Sequence, residues 1–481
     1  MVVLLAVITA KAQLRFERYP CITNPRAVKP LRTRFVNYDP DRRWDPERVY
    51  RQIVLLVSFS NMDFSMDDPQ AYYNDLFNMR GFSGERHAPG SVADYFRDQS
   101  SGMFNLQFDV FGPVKIDQKA ENTNQGYSAF RLATRQFVES VDIDFSPYDW
   151  DGDKEVDQIV IVTAGYCANG SNGTKDGFLW PNTGLFSSVM SHDGYSLSNY
   201  SATAEKWFNG ILCGLGTICH EFSHILGLPD LYPTDRRVMS VVDEWDLMDG
   251  GNYTCWGWNP PNYSAMEKLL MGWMTPEDIT GPGSVSDMRP LADGGTAYRS
   301  VIAGDEYYLL ENRQRNGWDA GLPGYGLFIT YINFDANIWR YNDVNPSRGP
   351  YRYDIIHADG MDYNAWETYI KENNLTEYED DRNRFRRHYL STSPYPFVSD
   401  VNEVRECQLK PYAFTNIQMT DDGIISFDIV DGETGIREVR REGVGSEEWY
   451  DLSGCRLTAP PCKPGIYIIR DVNGKTKKIT R

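Results

Sequence analysis

The sequence predicts an α+β protein in three parts: a mixed unit over 49–280, a β-rich region over 281–430 and a small all-β module over 431–481. Three observations carry this. Strand-length apolar runs alternate with helical spacings up to about residue 280. Beyond Pro276 the texture changes to short strands broken by Gly, Asp and Asn turns. The length of 481 residues suits about three domains of ordinary size.

In chain order, Met1–Ala10 is apolar and closes on Ala10-Lys11-Ala12. That is too short to span a bilayer, and its small-residue ending reads as a secretory signal peptide over 1–12, although the basic start is missing. Residues 13–48, rich in arginine and proline, read as a leader. Ile53–Phe59 is the first core strand. Ser91–Phe96 has helical spacing, Phe104–Val114 alternates as a strand, Ala129–Ser140 is helical, and Gln158–Val162 is a second buried strand. In the β-rich region, Glu306–Glu311, Gly326–Ile332 and Ile424–Ile429 are the strands. The charge run Lys371–His388 reads as a solvated loop or helix face. Gly465–Arg470 and the lysine-rich end form a hairpin. No later segment reaches transmembrane length.

Composition excludes whole classes. Lysine and arginine total 48 against 67 acids, a net charge of −19, which disfavours nucleic acid as a partner. The 8 cysteines are too few and scattered for a disulfide framework. Cys213 and Cys219, read as lying on one helix, would sit roughly 9 Å apart, so both are expected free and buried.

Only 6 histidines occur, and two of them fall in His220-Glu221-Phe222-Ser223-His224. On a helix, positions 220 and 224 share a face and can hold one zinc ion, with Glu221 beside them as general base. Gly227 can end the helix in a left-handed turn, and Pro229 forbids its continuation. Asp230 then offers a third ligand, with Asp246 or another nearby acid as an alternative. Two imidazoles, a carboxylate and an open position describe a catalytic zinc site. Downstream, Trp245–Gly251 places Met248 in a tight turn, as a Met-turn would, and Tyr232 or Tyr253 could face the developing oxyanion. A second acidic group, Asp149, Asp151, Asp153 and Asp157, concentrates hard oxygen donors ahead of a strand and suits a structural Ca²⁺, although it is not an EF-hand.

The chain resembles the immune inhibitor A family of secreted zinc metallopeptidases. The likeness rests on HEFSHILGLPDLY over 220–232, the WDLMDGG turn, the segment Ala265–Trp273, SVADYFRDQSSGMFNLQFDVFGPV over 91–114, and EYYLLENRQ with LPGYGLF over 306–328. It implies a metzincin-like zincin fold, His220 and His224 as zinc ligands, Asp230 as the third, and Glu221 as general base. It also implies protein or peptide substrates. Where family members show an His-Val-Asp-like strand end, this chain has Tyr331-Ile332-Asn333. The last fifty residues resemble the C-terminal sorting tails of secreted Bacteroidetes proteins, which implies contact with a secretion machinery and a secreted or cell-surface location. The reading from a different class is a surface adhesin or glycan binder with a vestigial metal site. Cys21, in the leader, is a thiol able to cap a zinc ion, although a single cysteine there is more often incidental.

Overall fold

The computed structural model describes residues 44–432, without 124–125, 170, 172, 235–239, 347–349, 362–371, 373–389 and 399–402, and four short strands beyond residue 447. The signal and leader expectations, Cys21 and nearly all of the 371–388 charge run lie outside the described residues.

The first unit runs β1 (Val49–Phe59), α1 (Pro69–Asn78), α2 (Val92–Gln99), β2 (Asn105–Ile116), α3 (Tyr127–Ser140), β3 (Glu155–Val156), β4 (Ile159–Tyr166), β5 (Asn182–His192), β6 (Tyr195–Lys206), α4 (Gly216–Leu226) and α5 (Ala265–Leu270). Its sheet has the order β2-β1-β4-β6-β3, all parallel, and β5 lies antiparallel on β6. A parallel strand is covered on both faces, which is why β1 and β4 read as unbroken apolar runs. Alternate side chains go to opposite layers. Ile53, Leu55, Ile159 and Ile161 pack with Ala129, Phe130 and Phe137 of α3, while Val54, Leu56, Val160 and Val162 join the cluster holding Tyr95, Phe96 and Phe222. Ser91 and Asp94 form a capping box that fixes the start of α2. On β2, Asn78 imitates a neighbouring strand: its amide takes the Phe108 N–H at 2.8 Å and donates to the Phe108 carbonyl at 2.9 Å.

The expected strands and helices of this unit match β1, α2, β2, α3 and β4, with Ser91, Phe104 and Gln158 each lying one residue before its element, but β5 and β6 do not follow from apolar patterning. Asn182–Lys206 is rich in Ser, Asn and Thr. Those groups are buried because they have partners: Ser201 donates to Gln158 Oε1 at 3.0 Å and Asn199 Nδ2 to the Asp157 carbonyl at 3.2 Å. The two strands turn through Asp193 and Gly194, at φ 48° and 81°, a mirror-image hairpin turn.

The β-rich region contains β7 (Glu277–Asp278), β8 (Gly283–Met288), β9 (Tyr298–Ala303), β10 (Glu306–Arg313), β11 (Gly326–Asn333), α6 (Ala336–Arg340), β12 (Tyr353–Ile355), β13 (Phe397–Val398), β14 (Glu403–Val404), β15 (Tyr412–Met419) and β16 (Ile425–Asp431). One sheet has the order β12-β11-β10-β9-β7 and another β15-β16-β8. Leu310, Leu327 and Ile329 face Phe414 and Phe427, whereas Leu309 and Phe328 share a buried cluster with Phe222 and Leu226 of α4. Trp245 stacks on Phe328 with ring centroids 4.4 Å apart. One core therefore crosses residue 280 and packs α4 against both units. Beyond residue 447, β17 (Glu448–Tyr450), β18 (Arg456–Leu457), β19 (Ile466–Arg470) and β20 (Thr476–Thr480) form a sheet in which β19 and β20 pair antiparallel, as the expected hairpin requires. Among the described residues, no helix is long and apolar enough to cross a membrane.

Candidate metal centre

Helix α4 is buried along its whole length. Its start presses on the 251–257 segment: a Cβ at Gly216 would meet the Asn252 carbonyl oxygen at 2.3 Å, so only glycine fits. Its end is Gly227 at φ 103°, whose N–H bonds the Ser223 and His224 carbonyls, while the Leu228 N–H bonds the Ser223 carbonyl. That left-handed closure reverses the chain before Pro229 and returns Asp230 to the histidine face. The Leu231 N–H then donates to the Met248 carbonyl at 2.9 Å, docking this turn on the one that carries Met248.

Both imidazoles are fixed from behind. His220 Nδ1 lies 2.8 Å from the Leu247 carbonyl oxygen and His224 Nδ1 2.8 Å from that of Leu228. A carbonyl only accepts, so each Nδ1 carries the hydrogen, and a neutral ring presents a bare lone pair at Nε2. Those two nitrogens lie 3.3 and 3.2 Å from Asp230 Oδ1. His220 Nε2, His224 Nε2 and Asp230 Oδ1 are all buried, and none is in an aligned hydrogen bond. Three acceptors facing one another in a dry site repel unless a cation sits among them. Burial pulls His224 down, but the charges of Asp230 and Glu221 outweigh it and raise its pKa to about 9. Asp230 is held well below the carboxylate range, because the two histidines overcome the opposing effect of its burial. The three groups lie within 4.8 Å of one another, a donor set of two imidazoles and one carboxylate that fits zinc.

Residues 40–272 match the immune inhibitor A peptidase M6 catalytic domain. The chain is a metallopeptidase. It therefore hydrolyses peptide bonds, and protein or peptide chains are its substrates. The matched segment takes in α4 and Asp230 and ends before the β-rich region. No curated protein matches the chain.

Of the acids weighed as third ligand, Asp230 stands with the histidines and Asp246 does not. Asp246 is part of the scaffold: its Oδ1 accepts the Met248 N–H at 2.9 Å, and its Oδ2 lies 3.4 Å from the Tyr353 hydroxyl. Tyr253 packs on Trp207, with ring centroids 5.7 Å apart, and accepts from Asn169 Nδ2 at 3.4 Å; Tyr232 is buried. Tyr331 and Asn333 are engaged within the β-rich region, with Glu306 and Arg352.

Two residues of this metallopeptidase's centre carry no signal in the sequence. Thr183 of β5 reaches both Glu221 Oε2 and the Glu221 carbonyl at 2.8 Å, while Glu221 Oε1 is buried without a partner. Asn342 bonds Asp230 from the β-rich region.

In the acidic loop the structure gathers Asp149, Asp151 and Asp153, within 4.8 Å, but not Asp157. Asp157 instead accepts the Trp150 N–H at 2.6 Å. The cysteine expectation also changes. Cys213 precedes α4, its N–H on the Glu205 carbonyl, so it does not share a helix with Cys219. Its neighbour is Cys167, with the sulfurs 3.7 Å apart, and Cys213 and Cys219 are both free and buried.

Proposed function

We propose that the chain is a secreted zinc-dependent endopeptidase acting on extracellular proteins, with Glu221 as general base. The observation that carries this reading is the convergence of three buried metal donors, two of them on the helix that also carries the bare, buried Glu221 Oε1. His220, His224 and Asp230 would hold the ion, which when bound supplies Lewis acidity towards water and the scissile carbonyl. Glu221 takes a proton from the attacking water at Oε1 and passes it to the nitrogen of the leaving amine as the C–N bond breaks. Thr183, donating to Oε2, leaves Oε1 as the oxygen without a protein partner. The Leu247 and Leu228 carbonyls keep both rings oriented, and the Met248 turn is read as the Met-turn of a metzincin-like fold.

Secretion is supported by the apolar segment closing on Ala10-Lys11-Ala12, and export through a sorting machinery by the resemblance of the last fifty residues. A structural calcium ion at the Asp149 loop belongs to the same proposal, supported by three convergent carboxylates.

Glu221→Gln tests the base. Casein hydrolysis should fall by on the order of 10³-fold while zinc stays at one per chain. Undiminished hydrolysis by that variant would sink the assignment.

A further inference from the structure

We infer that Asn342 is a positioning residue of the metal centre, holding the Asp230 carboxylate so that Oδ1 faces the two histidines. The inference rests on the zinc reading above and adds a component from outside the matched catalytic segment.

The contact is reciprocal. Asn342 Nδ2 donates to Asp230 Oδ2 at 2.7 Å, and the Asp230 N–H donates to Asn342 Oδ1 at 2.6 Å. Because a backbone N–H must meet an oxygen, the amide has one orientation, and its NH₂ must face the carboxylate. Asp230 has two oxygens and can rotate about its side chain. With Oδ2 tied to Asn342, Oδ1 is the oxygen left 3.2 Å from His224 Nε2 and 3.3 Å from His220 Nε2. Partners of this kind, behind a ligating group, typically change metal affinity 10- to 100-fold.

The backbone explains how one residue does this. Asn342 follows α6 at φ 58°, its N–H on the Trp339 carbonyl and the Asp343 N–H on that of Ile338. This is the left-handed helix stop, a position that favours glycine and after it asparagine. Glycine would end α6 as well but would leave Asp230 Oδ2 without its donor. The segment is also anchored on either side: Asn345 Nδ2 donates to the Leu231 carbonyl at 2.7 Å and to that of Tyr353 at 2.8 Å, and the Thr234 hydroxyl donates to the Asn342 carbonyl at 3.3 Å. The brace and the ligand are thus two rigidly joined turns, 112 positions apart in sequence.

The test uses the full chain with Asn342→Gly and Asn342→Asp. Zinc affinity is measured by competition with a chromophoric chelator, the metal-free melting temperature by calorimetry, and ligand geometry by the visible spectrum of the cobalt(II) form. Asn342→Gly should bind zinc about 10- to 100-fold more weakly with an altered cobalt spectrum, while its metal-free melting temperature falls only by what two lost hydrogen bonds account for. Asn342→Asp also accepts the left-handed backbone and should weaken zinc at least as much, since an oxygen replaces the NH₂ that faces Asp230. Parent-like zinc affinity in either variant would overturn the inference. A parent chain that holds no zinc would overturn the zinc reading and the brace with it. A Glu221→Gln chain that keeps both zinc and full activity would overturn the general base alone.

Discussion

Among the described residues, two places gather acidic or metal-ligating side chains closely enough for a cation, and they are built in opposite ways. At the helix α4 centre the three donors are buried and their inward atoms have no hydrogen-bond partner. In the Asp149 loop two of the three carboxylates are exposed, and Asp149 accepts N–H bonds from Gly152, Asp153 and Lys154 at 2.8, 3.1 and 2.9 Å. Charge alone does not separate the two, for the loop has more of it. What separates them is burial: removing water leaves the lone pairs of the first centre dependent on a cation, whereas solvent and backbone amides already serve the second.

The sharpest way to break that comparison is to delete one donor from each. His224→Ala should lose bound zinc and, with it, peptide hydrolysis by more than about 10³-fold, since the Lewis acidity disappears. Asp151→Asn, an exposed change, should leave hydrolysis within about twofold. Zinc analysis and casein turnover on both variants decide the matter. Equal losses would show that the loop, too, belongs to the catalytic apparatus.

Asp249 supplies an intermediate case, since it combines the burial of the first group with the amide donors of the second. Its Oδ2 accepts the N–H groups of Val241, Val242 and Asp243 at 2.9, 3.0 and 3.0 Å. Burial, followed by the charge of Asp243, nevertheless pushes its pKa up to about 6. The folded state therefore holds this proton more tightly than the unfolded chain, where an aspartate titrates near 4. Stability from this group is fully present below about pH 4 and is lost as the pH rises through about 6. At 1.36 kcal/mol per pKa unit the change amounts to about 3 kcal/mol at most. Denaturant unfolding of parent and Asp249→Asn at pH 4 and pH 7 should show the parent losing that much more than the variant; equal losses would mean the amide donors outweigh burial.

The same contrast explains what was legible in the sequence. His220, Glu221, His224, Gly227 and Asp230 are local: a helical period and a left-handed stop set their relative positions, so spacing alone conveys them. Thr183 and Asn342 reach the centre from 38 and 112 positions away, and nothing in a threonine or an asparagine announces such a contact. Apolar patterning finds β1 and β4 but not β5 and β6, whose Asn and Ser side chains are buried by pairing with Asp157 and Gln158. In the acidic loop, counting alternate acids adds Asp157 to the ligands, whereas the Trp150 N–H claims it. Counting also puts Cys213 on the α4 helix, which begins three residues later, after the approach required by Gly216.

The smallest expected effect concerns calcium itself. Lys154 is the nearest cation in sequence to the loop acids, yet its ammonium donates to the Tyr195 hydroxyl at 2.8 Å and lies 4.4 Å above that ring. It is turned away to Tyr195, and a bound Ca²⁺ would relieve the mutual repulsion of the carboxylates better than the backbone amides and solvent that serve them. Two of the carboxylates are exposed, so the gain is modest. At tenfold excess over its dissociation constant, calcium would stabilise the fold by about 1.4 kcal/mol, or roughly 3–5 °C in melting temperature. Calorimetry on chelator-stripped chain with and without added calcium should give that rise, and Asp151→Asn should remove it while leaving the response to zinc unchanged. A rise that persists in Asp151→Asn would assign the effect to another cation site, and no rise in the parent would leave the loop held by its own amides.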